Sequence, residues 1–366
     1  MKSNATILEI NKKAILHNLA YFKNKLDKKT KILVVVKAFA YGSDAKIISK
    51  ISQNQKVDYL AVAYTEEGIA LRNAGIHLPI LVLHPQIQNF ELLIEKCLEP
   101  NLYSFKTLQK FTKTVEKLGL EKHPIHLKFN TGLNRLGFKL NDVSEVILHV
   151  KNSNSIQLKS VFSHLSASED LNEKIFTEQQ ITSFKKIKKS FEQAFEVKPL
   201  FHLLNTSGIV NYPKAQFDMV RLGIGLYGFA NEEKITRKLK NVLTLKSVIS
   251  QIHIVEKGET IGYNRAYKTE NTTKTATIPI GHADGISRQL GKEIGYVTIQ
   301  NKKAFIIGNV CMDMLMVDVT DINCKEGDEV IVFNSQEKII EMAKKINTIP
   351  YELLTMISQR VKRLVV

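Results

Sequence analysis

A single lysine stands where a strongly apolar segment gives way to a loop. Lys37 follows residues 32–36 (ILVVV) and precedes residues 38–42 (AFAYG). Such a segment is typical of a buried strand in a parallel sheet. A lysine that loses water there has a lowered pKa, and its neutral amine can attack an electrophile or condense with a carbonyl group. The position alone also fits an amine that extends from the strand end into solvent.

Eight short apolar segments alternate with amphipathic stretches of helical length, which predicts parallel strands joined by helices. The segments are residues 32–36, 59–63, 79–83, 102–105, 125–129, 158–162, 200–204 and 217–220. Their number and spacing match a (β/α)8 barrel of the TIM type. An open, doubly wound sheet is the alternative, and it is disfavoured because no Gly-x-Gly-x-x-Gly follows the first segment.

The chain changes character after the eighth segment. Residues 231–240 are polar and charged, and the β-rich runs beyond them are joined by short turn-like links. We therefore predict two domains: a barrel over residues 1–234 and a mostly β domain over residues 235–366.

Chemically useful residues fall at the predicted strand ends, which is where barrels of this type carry their active sites. Residues 205–208 (NTSG) and 223–225 (GIG) follow strands seven and eight, where backbone N–H groups frequently bind phosphate. Ordinary turns are the alternative interpretation. Together with Lys37, these loops indicate a phosphorylated aldehyde cofactor, bound at one end by the amine and at the other by its phosphate.

The composition bounds the class of protein. Lys plus Arg exceed Asp plus Glu by 52 to 36, a formal charge of +16, which favours anionic partners. The basic residues are dispersed over predicted helix faces, so nucleic-acid binding is not expected. Three cysteines without paired spacing indicate a reducing compartment and no metal site. No apolar stretch approaches the length of a membrane span, and we predict a cytoplasmic protein.

Five sequence strings occur in order over nearly the whole chain. They are residues 37–42 (KAFAYG), 130–138 (NTGLNRLGF), 220–228 (VRLGIGLYG), 280–285 (IGHADG) and 311–313 (CMD). In these strings the chain resembles the alanine racemase family. The resemblance implies an enzyme that interconverts L- and D-alanine with pyridoxal 5′-phosphate and supplies D-alanine for the cell wall.

The resemblance also implies a homodimer, each active site lying between one subunit's barrel and the other's β domain. Lys37 would bind the cofactor covalently and take the proton from D-alanine. Tyr263, lent across the interface, would take it from L-alanine. Two unlike bases can reach the two faces of the reacting carbon. The phenol needs positive neighbours to act near neutral pH, and His164 and the arginines would supply them.

Further roles carry over from the resemblance. Arg221 would face the pyridine nitrogen, and because a guanidinium accepts no proton, that nitrogen would stay unprotonated. His202 would support Arg221. Arg135 would contact the cofactor's phenolic oxygen and, with the backbone N–H of Met312, the substrate carboxylate. Lys128 matches a lysine that can be carbamylated. The remaining cofactor contacts would be Tyr41, His164, Asn205, Thr206, Gly223, Ile224 and Tyr351.

Departures from the family pattern leave alternatives open. Asn130 stands where Asp is common, which bears on carbamylation of Lys128, and His282 and Asn309 replace Tyr and Arg near the substrate entrance. A serine or broad-specificity racemase is therefore an alternative. An amino-acid decarboxylase of the same plan would carry Glu in place of Arg221. A non-catalytic pyridoxal-phosphate-binding homeostasis protein would lack the second domain.

Overall fold

The computed structural model describes residues 5–366. Strand β1 (Ile7–Ile10) and helix α1 (Lys12–Lys23) precede the barrel. Eight parallel strands then close into a barrel, which confirms the predicted fold. They are β2 (Lys31–Val35), β3 (Tyr59–Val62), β4 (Ile80–Val82), β5 (Glu99–Leu102), β6 (His123–Lys128), β7 (Ile156–Phe162), β8 (Leu200–His202) and β9 (Met219–Leu222). Pairing of β9 with β2, with Ile32 opposite Val220, completes the closure.

Helices connect these strands and cover the barrel. They are α2 (Lys37–Tyr41), α3 (Ala45–Asn54), α4 (Thr65–Asn73), α5 (Phe90–Glu95), α6 (Phe105–Lys117), α7 (Val143–Lys151), α8 (Lys174–Ala194), α9 (Thr206–Asn211) and α10 (Glu233–Thr236). The longest, α8, buries Ile181, Phe184, Ile187 and Phe191. This spacing of three and four residues places the apolar side chains on one helix face.

The fourth barrel strand lies earlier in the chain than predicted. We expected residues 102–105, whereas β5 covers Glu99–Leu102 and Phe105 already begins α6. The sequence Glu-Pro-Asn resembles a turn. It forms a strand here because the Glu99 carboxylate has a buried partner, His126 on the neighbouring strand β6, at 2.7 Å.

A nine-stranded sheet forms the second domain. The strands that follow the barrel in the chain are β10 (Leu243–Val248), β11 (Gln251–Val255), β12 (Thr260–Ile261), β13 (Tyr267–Lys268), β14 (Thr273–Ile278), β15 (Tyr296–Ile299), β16 (Lys302–Ile307), β17 (Leu315–Asp318), β18 (Glu329–Phe333) and β19 (Lys362–Val365). The large sheet has the order β11-β14-β17-β16-β15-β18-β10-β1-β19, and β12 pairs only with β13. Helices α11 (Gln336–Lys345) and α12 (Pro350–Thr355) complete it.

Strand β1 belongs to this second sheet. It pairs antiparallel with β10 and parallel with β19. The prediction assigned residues 1–234 to the barrel as one block, of which residues 1–4 lie outside the described range. Sequence order could not reveal that β1 crosses to the other domain, because its partners lie more than 200 residues along the chain.

The segment α2, which follows β2, is a left-handed turn and not an ordinary α-helix. Ala38, Phe39, Ala40 and Tyr41 have φ between 52° and 54°, and Gly42 follows at 78°. Consecutive left-handed residues other than glycine each cost about 1–2 kcal/mol, so this turn is strained. Gly42 admits no side chain, because a Cβ there would overlap a main-chain carbonyl of α12. The strained turn places Lys37 and Tyr41 at the barrel mouth.

Candidate active site

The carboxyl ends of the barrel strands surround a cavity of about 540 Å³. Eleven of the fourteen predicted site residues line it: Lys37, Tyr41, Lys128, Arg135, His164, Asn205, Thr206, Arg221, Gly223, Ile224 and Tyr351. His202 lies directly behind Arg221. Tyr263 and Met312 line a different hollow, of about 700 Å³, on the second domain. The residues predicted from the barrel therefore converge within one chain together with Tyr351 of the second domain, whereas Tyr263 and Met312 lie apart from them.

Lys37 has a depressed affinity for protons. Burial is the main cause of its lowered pKa, the positive charge of Arg135 lowers it further, and Glu67 partly opposes both. The Glu67 carboxylate also accepts hydrogen bonds from the backbone N–H groups of Ala38 and Ala63, each at 2.6 Å. Sequence reasoning missed Glu67, because an acidic residue in a first helical turn is common for reasons of helix stability alone.

The loops after β8 and β9 form a cradle lined by backbone donors. Thr206 Oγ1 accepts the N–H groups of Gly223 and Gly225, both at 3.3 Å, and so ties the two loops together. Asn205 caps α9 by accepting the Gly208 N–H at 2.9 Å. Ile224 begins a 3₁₀ turn, where N–H groups lack partners within the helix.

Gly223 keeps this cradle open. A Cβ at Gly223 would lie 2.6 Å from the Tyr41 hydroxyl oxygen. The Tyr41 ring packs against Tyr227 at 4.7 Å and faces Tyr351 at 6.0 Å between ring centroids. Burial is the main cause of the raised pKa values of Tyr41 and Tyr351, so both phenols stay protonated and remain donors. Such a set of donors suits a phosphate group.

Arg221 is held from several sides by neutral acceptors. Its Nη2 donates to the carbonyl oxygens of Ser163 and Leu203 and to His164 Nδ1, at 2.8, 2.8 and 2.9 Å. Its Nη1 donates to His202 Nδ1 at 2.8 Å. Burial and the charge of Arg135 lower the pKa of Arg221 to about 9, so the guanidinium stays charged at neutral pH. Among the described residues, no carboxylate forms an ion pair with it.

His164 differs in charge from our expectation. Burial, followed by Arg221 and other cations, lowers the pKa of His164 well below its ordinary value. The neutral imidazole acts as an acceptor for Arg221 and supplies no positive charge to a phenol. Sequence reasoning was wrong on this point, because it could not foresee that His164 would be enclosed by cations.

Lys128 adds to the positive character of the cavity. Burial lowers its pKa to about 8, with further contributions from Arg135, Arg221 and Lys37. A cluster of cations such as Lys37, Lys128, Arg135 and Arg221 creates a field that attracts anionic ligands. The described residues contain no cluster of three or more His, Cys, Asp or Glu that could hold a metal ion.

The second-domain hollow is an exposed surface. Tyr263 is 74% exposed and Met312 is 59% exposed. Tyr263 begins a short turn in which Asn264 and Arg265 are left-handed, with φ of 58° and 51°. Asn309, one of the departures from the family pattern, donates from Nδ2 to the Tyr263 carbonyl at 3.1 Å. Nothing in the sequence pattern indicated that Asn309 supports this turn.

The barrel cavity fits a phosphorylated aromatic aldehyde. It offers a lysine with a lowered pKa, a donor-rich cradle that excludes a Cβ, and a buried arginine between them. Its volume lies within the usual range for cofactor sites. Lys37 would form the covalent link, Thr206 and the glycine loop would hold the phosphate, and Arg221 would face the ring.

A barrel with this cavity and an added β domain defines a class of pyridoxal-phosphate enzymes. The model of the alanine racemase N-terminal domain matches residues 10–231, and that of the C-terminal domain matches residues 242–365. The chain belongs to the alanine racemase family.

Individual relatives match over nearly their whole length. The alanine racemase of Fusobacterium nucleatum is 38% identical over 367 residues, which cover 99% of both chains. The alanine racemase structure from Clostridium difficile 630 superposes with a TM-score of 0.94 at 36% identity, covering 100% of this chain and 97% of that one. The Bartonella henselae alanine racemase, described with covalently bound pyridoxal phosphate, gives a TM-score of 0.88 at 27% identity over 99% of this chain and 100% of its own.

Proposed function

We propose that this protein is a pyridoxal 5′-phosphate-dependent alanine racemase that interconverts L- and D-alanine with two bases. The observation that carries the proposal is the pairing of Lys37 with Arg221 in one cavity, where burial lowers the pKa of the lysine and, among the described residues, the arginine meets no carboxylate. When bound, the cofactor supplies an electron-withdrawing ring that stabilises negative charge at the substrate's central carbon.

Arg221 distinguishes this site from that of a decarboxylase of the same plan, which would present Glu to the ring. The Arg221 guanidinium is held in place because its two terminal nitrogens donate hydrogen bonds to surrounding acceptors. A guanidinium can only donate hydrogen bonds. It therefore cannot share a proton with the ring nitrogen as a carboxylic acid would. This limits the withdrawal of electrons and favours return of the proton to the same carbon, which is racemisation.

Lys37 serves as the base on one face of the substrate. Burial lowers its pKa, which favours the neutral amine, and the turn that follows it is left-handed and strained. Arg135 at the rim would bind the substrate carboxylate, assisted by the backbone N–H of the partner's Met312, because this chain's own Met312 lines the separate hollow. Lys128 would hold Arg135 in place if carbamylated, and Asn130 leaves that modification open.

We assign the base on the opposite face to Tyr263 of the second domain. Tyr263 lines a separate hollow of the same chain and is mostly exposed, which supports a homodimer in which the partner's Tyr263 completes each site. A general base must come within hydrogen-bond reach of its proton, so the phenol can act only across an interface.

Complementation between inactive variants tests this shared site. Lys37→Ala and Tyr263→Phe proteins are each expected to be inactive. Mixed under conditions that exchange subunits, they form hybrids with one intact site, and activity should rise to about a quarter of wild type for random pairing of a two-fold dimer. Each variant mixed with itself is the control. No recovery in verified hybrids would overturn the shared site.

The reaction itself is tested by the appearance of D-alanine from L-alanine, detected with a D-amino-acid oxidase, with L-serine assayed in parallel. The relatives' names favour alanine over serine as the substrate.

The presence of a second domain disfavours the alternative of a single-domain homeostasis protein. The proposal includes a cytoplasmic location and provision of D-alanine for peptidoglycan. The three cysteines, free and without disulfides, accord with a reducing compartment. Among the described residues, no helix is long and apolar enough to span a membrane.

A further inference from the structure

A chain of buried polar side chains runs from Arg221 through the barrel interior, away from the cavity. His202 Nδ1 lies 2.8 Å from Arg221 Nη1, and His202 Nε2 lies 2.9 Å from Ser160 Oγ. Ser160 Oγ is 2.6 Å from His126 Nδ1, and His126 Nε2 is 2.7 Å from Glu99 Oε2. His202, Ser160 and His126 are all fully buried, so solvent does not contact these groups.

The donor at one end fixes the direction of every hydrogen bond. A guanidinium only donates, so His202 Nδ1 must accept and the neutral ring must carry its hydrogen on Nε2. That hydrogen is donated to Ser160 Oγ. The Ser160 hydroxyl then donates to His126 Nδ1, and His126 donates from Nε2 to the Glu99 carboxylate. Burial and Arg221 lower the pKa of His202 well below its ordinary value, which keeps it neutral.

A doubly protonated His126 is the competing arrangement. It would donate from Nδ1 to Ser160 Oγ, which already accepts from His202. The Ser160 hydrogen would then have no acceptor among the described residues, since its oxygen contacts only these two rings. An unpaired buried donor costs about 1–3 kcal/mol. The neutral Nε2–H form of His126 leaves every group satisfied.

The far end of the chain is held by packing around the Glu99 carboxylate. The Tyr59 ring meets His126 edge-on at 5.7 Å between centroids. Burial and the neighbouring Glu99 raise the pKa of Tyr59, so its phenol remains protonated beside the carboxylate. Glu99 thus provides a fixed acceptor at the end of the chain opposite the guanidinium.

We propose that Glu99, Ser160 and His126 are positioning residues that act through His202 to hold the Arg221 guanidinium in place. Because each member can orient in only one way, His202 cannot turn its ring or change tautomer, and Arg221 keeps an acceptor at Nη1. The expected effect on catalysis rests on the proposed function, whereas the expected tautomers of His202 and His126 do not.

Long-range ¹H–¹⁵N NMR of the cofactor-free protein with ¹⁵N-labelled histidine tests the tautomers directly. Assignment uses His126→Gln and His202→Gln proteins. We expect both rings to be neutral with hydrogen on Nε2 at neutral pH. Hydrogen on Nδ1 of either ring, or a cationic His126, would overturn the proposal even if the protein racemises alanine. Absence of racemase activity together with the expected tautomers would overturn the proposed function only.

Ser160→Ala tests the catalytic consequence in the cofactor-loaded enzyme. Removing the link should lower kcat about tenfold, the lower end of effects seen when a group that orients a ligand is lost. KM should change little. The ratio of pyruvate formed to alanine racemised should rise severalfold, because a loosened Arg221 controls the ring nitrogen less well. General loss of folded protein would leave that ratio unchanged.

Ser49→Ala provides a matched control. Ser49 is also fully buried, but its hydroxyl has no hydrogen-bond partner within residues 5–366. Its removal should leave kcat, KM and the pyruvate ratio at wild-type values. Equal effects of both substitutions, or an unchanged pyruvate ratio in Ser160→Ala, would contradict a positioning role.

Discussion

The barrel mouth and the face that carries Tyr263 differ in how far each is organised within one chain. At the barrel mouth, Arg221 and His202 are buried, His164 is partly buried, and both histidines accept hydrogen bonds from the guanidinium. On the second domain, Tyr263 projects from a turn and is mostly exposed, with Met312 exposed beside it. One half of the proposed site is preorganised by folding, and the other half requires association.

The largest effect on activity is expected from Lys37→Ala, which removes the reactive amine of the barrel cavity. Racemisation in both directions should fall by about 10³-fold or more, since both covalent attachment and proton transfer are lost. Borohydride reduction followed by mass spectrometry measures the attachment. A variant that still forms a reducible bond to the cofactor would contradict the assignment.

Tyr263→Phe should remove the base on the exposed face of the second domain and leave the barrel cavity unchanged. Loss of one general base lowers the rate by about 10²–10⁴-fold. Exchange of the α-hydrogen of L-alanine with deuterated solvent should collapse, while cofactor affinity stays at the wild-type value. Equal losses of cofactor affinity and exchange would instead indicate a structural role for the ring.

Lys128→Met should change how stability of the cofactor-free protein depends on pH. The pKa of Lys128 is about 8 when folded, below its ordinary value of 10.5, so the unfolded chain binds more protons between these values. Stability should therefore rise with pH across this window, by up to about 3 kcal/mol from this group.

Urea unfolding of wild type and Lys128→Met at pH 7.5 and 10 measures the difference. The variant should be the more stable at pH 7.5, and its stability should rise less on going to pH 10. Identical pH dependence in both proteins would show that burial and the neighbouring cations do not lower the pKa of Lys128.

The smallest effect is expected from Asn309→Ala on the exposed face. Its single hydrogen bond to the Tyr263 carbonyl is solvent-accessible, so its loss costs about 1 kcal/mol, or a few-fold in kcat. Steady-state kinetics with L-alanine measure the loss. Asn264→Ala, in the same turn, tests whether the left-handed backbone matters more than this hydrogen bond.

Most of the barrel could be predicted from the sequence, whereas the charge states of the site residues were less predictable. Seven of the eight barrel strands were predicted close to their observed positions because buried parallel strands form short apolar runs, whereas β5 begins three residues before the predicted segment. Glu99 is an exception, because a glutamate is stable in this buried strand only when it is paired with His126. No local sequence pattern reveals that pairing. The neutrality of His164 depends on cations contributed by several strands and needed the assembled barrel.

The roles of Tyr263 and Arg221 came from the family resemblance. An isolated tyrosine in a turn has no local signal that distinguishes a base from a surface aromatic. The structure adds a reason to look beyond one chain, because an exposed phenol and an exposed methionine share a hollow on the second domain.

The placement of β1 between β10 and β19 bears on how the polypeptide is synthesised. When the ribosome releases the barrel, β1 has neither neighbour, because β10 and β19 both follow the barrel in the chain. Strand β1 therefore stays without its second neighbour until Lys362–Val365 have been synthesised. A fragment beginning at residue 235 would lack an interior strand of its sheet, so separately expressed halves should aggregate unless residues 5–11 are supplied in trans.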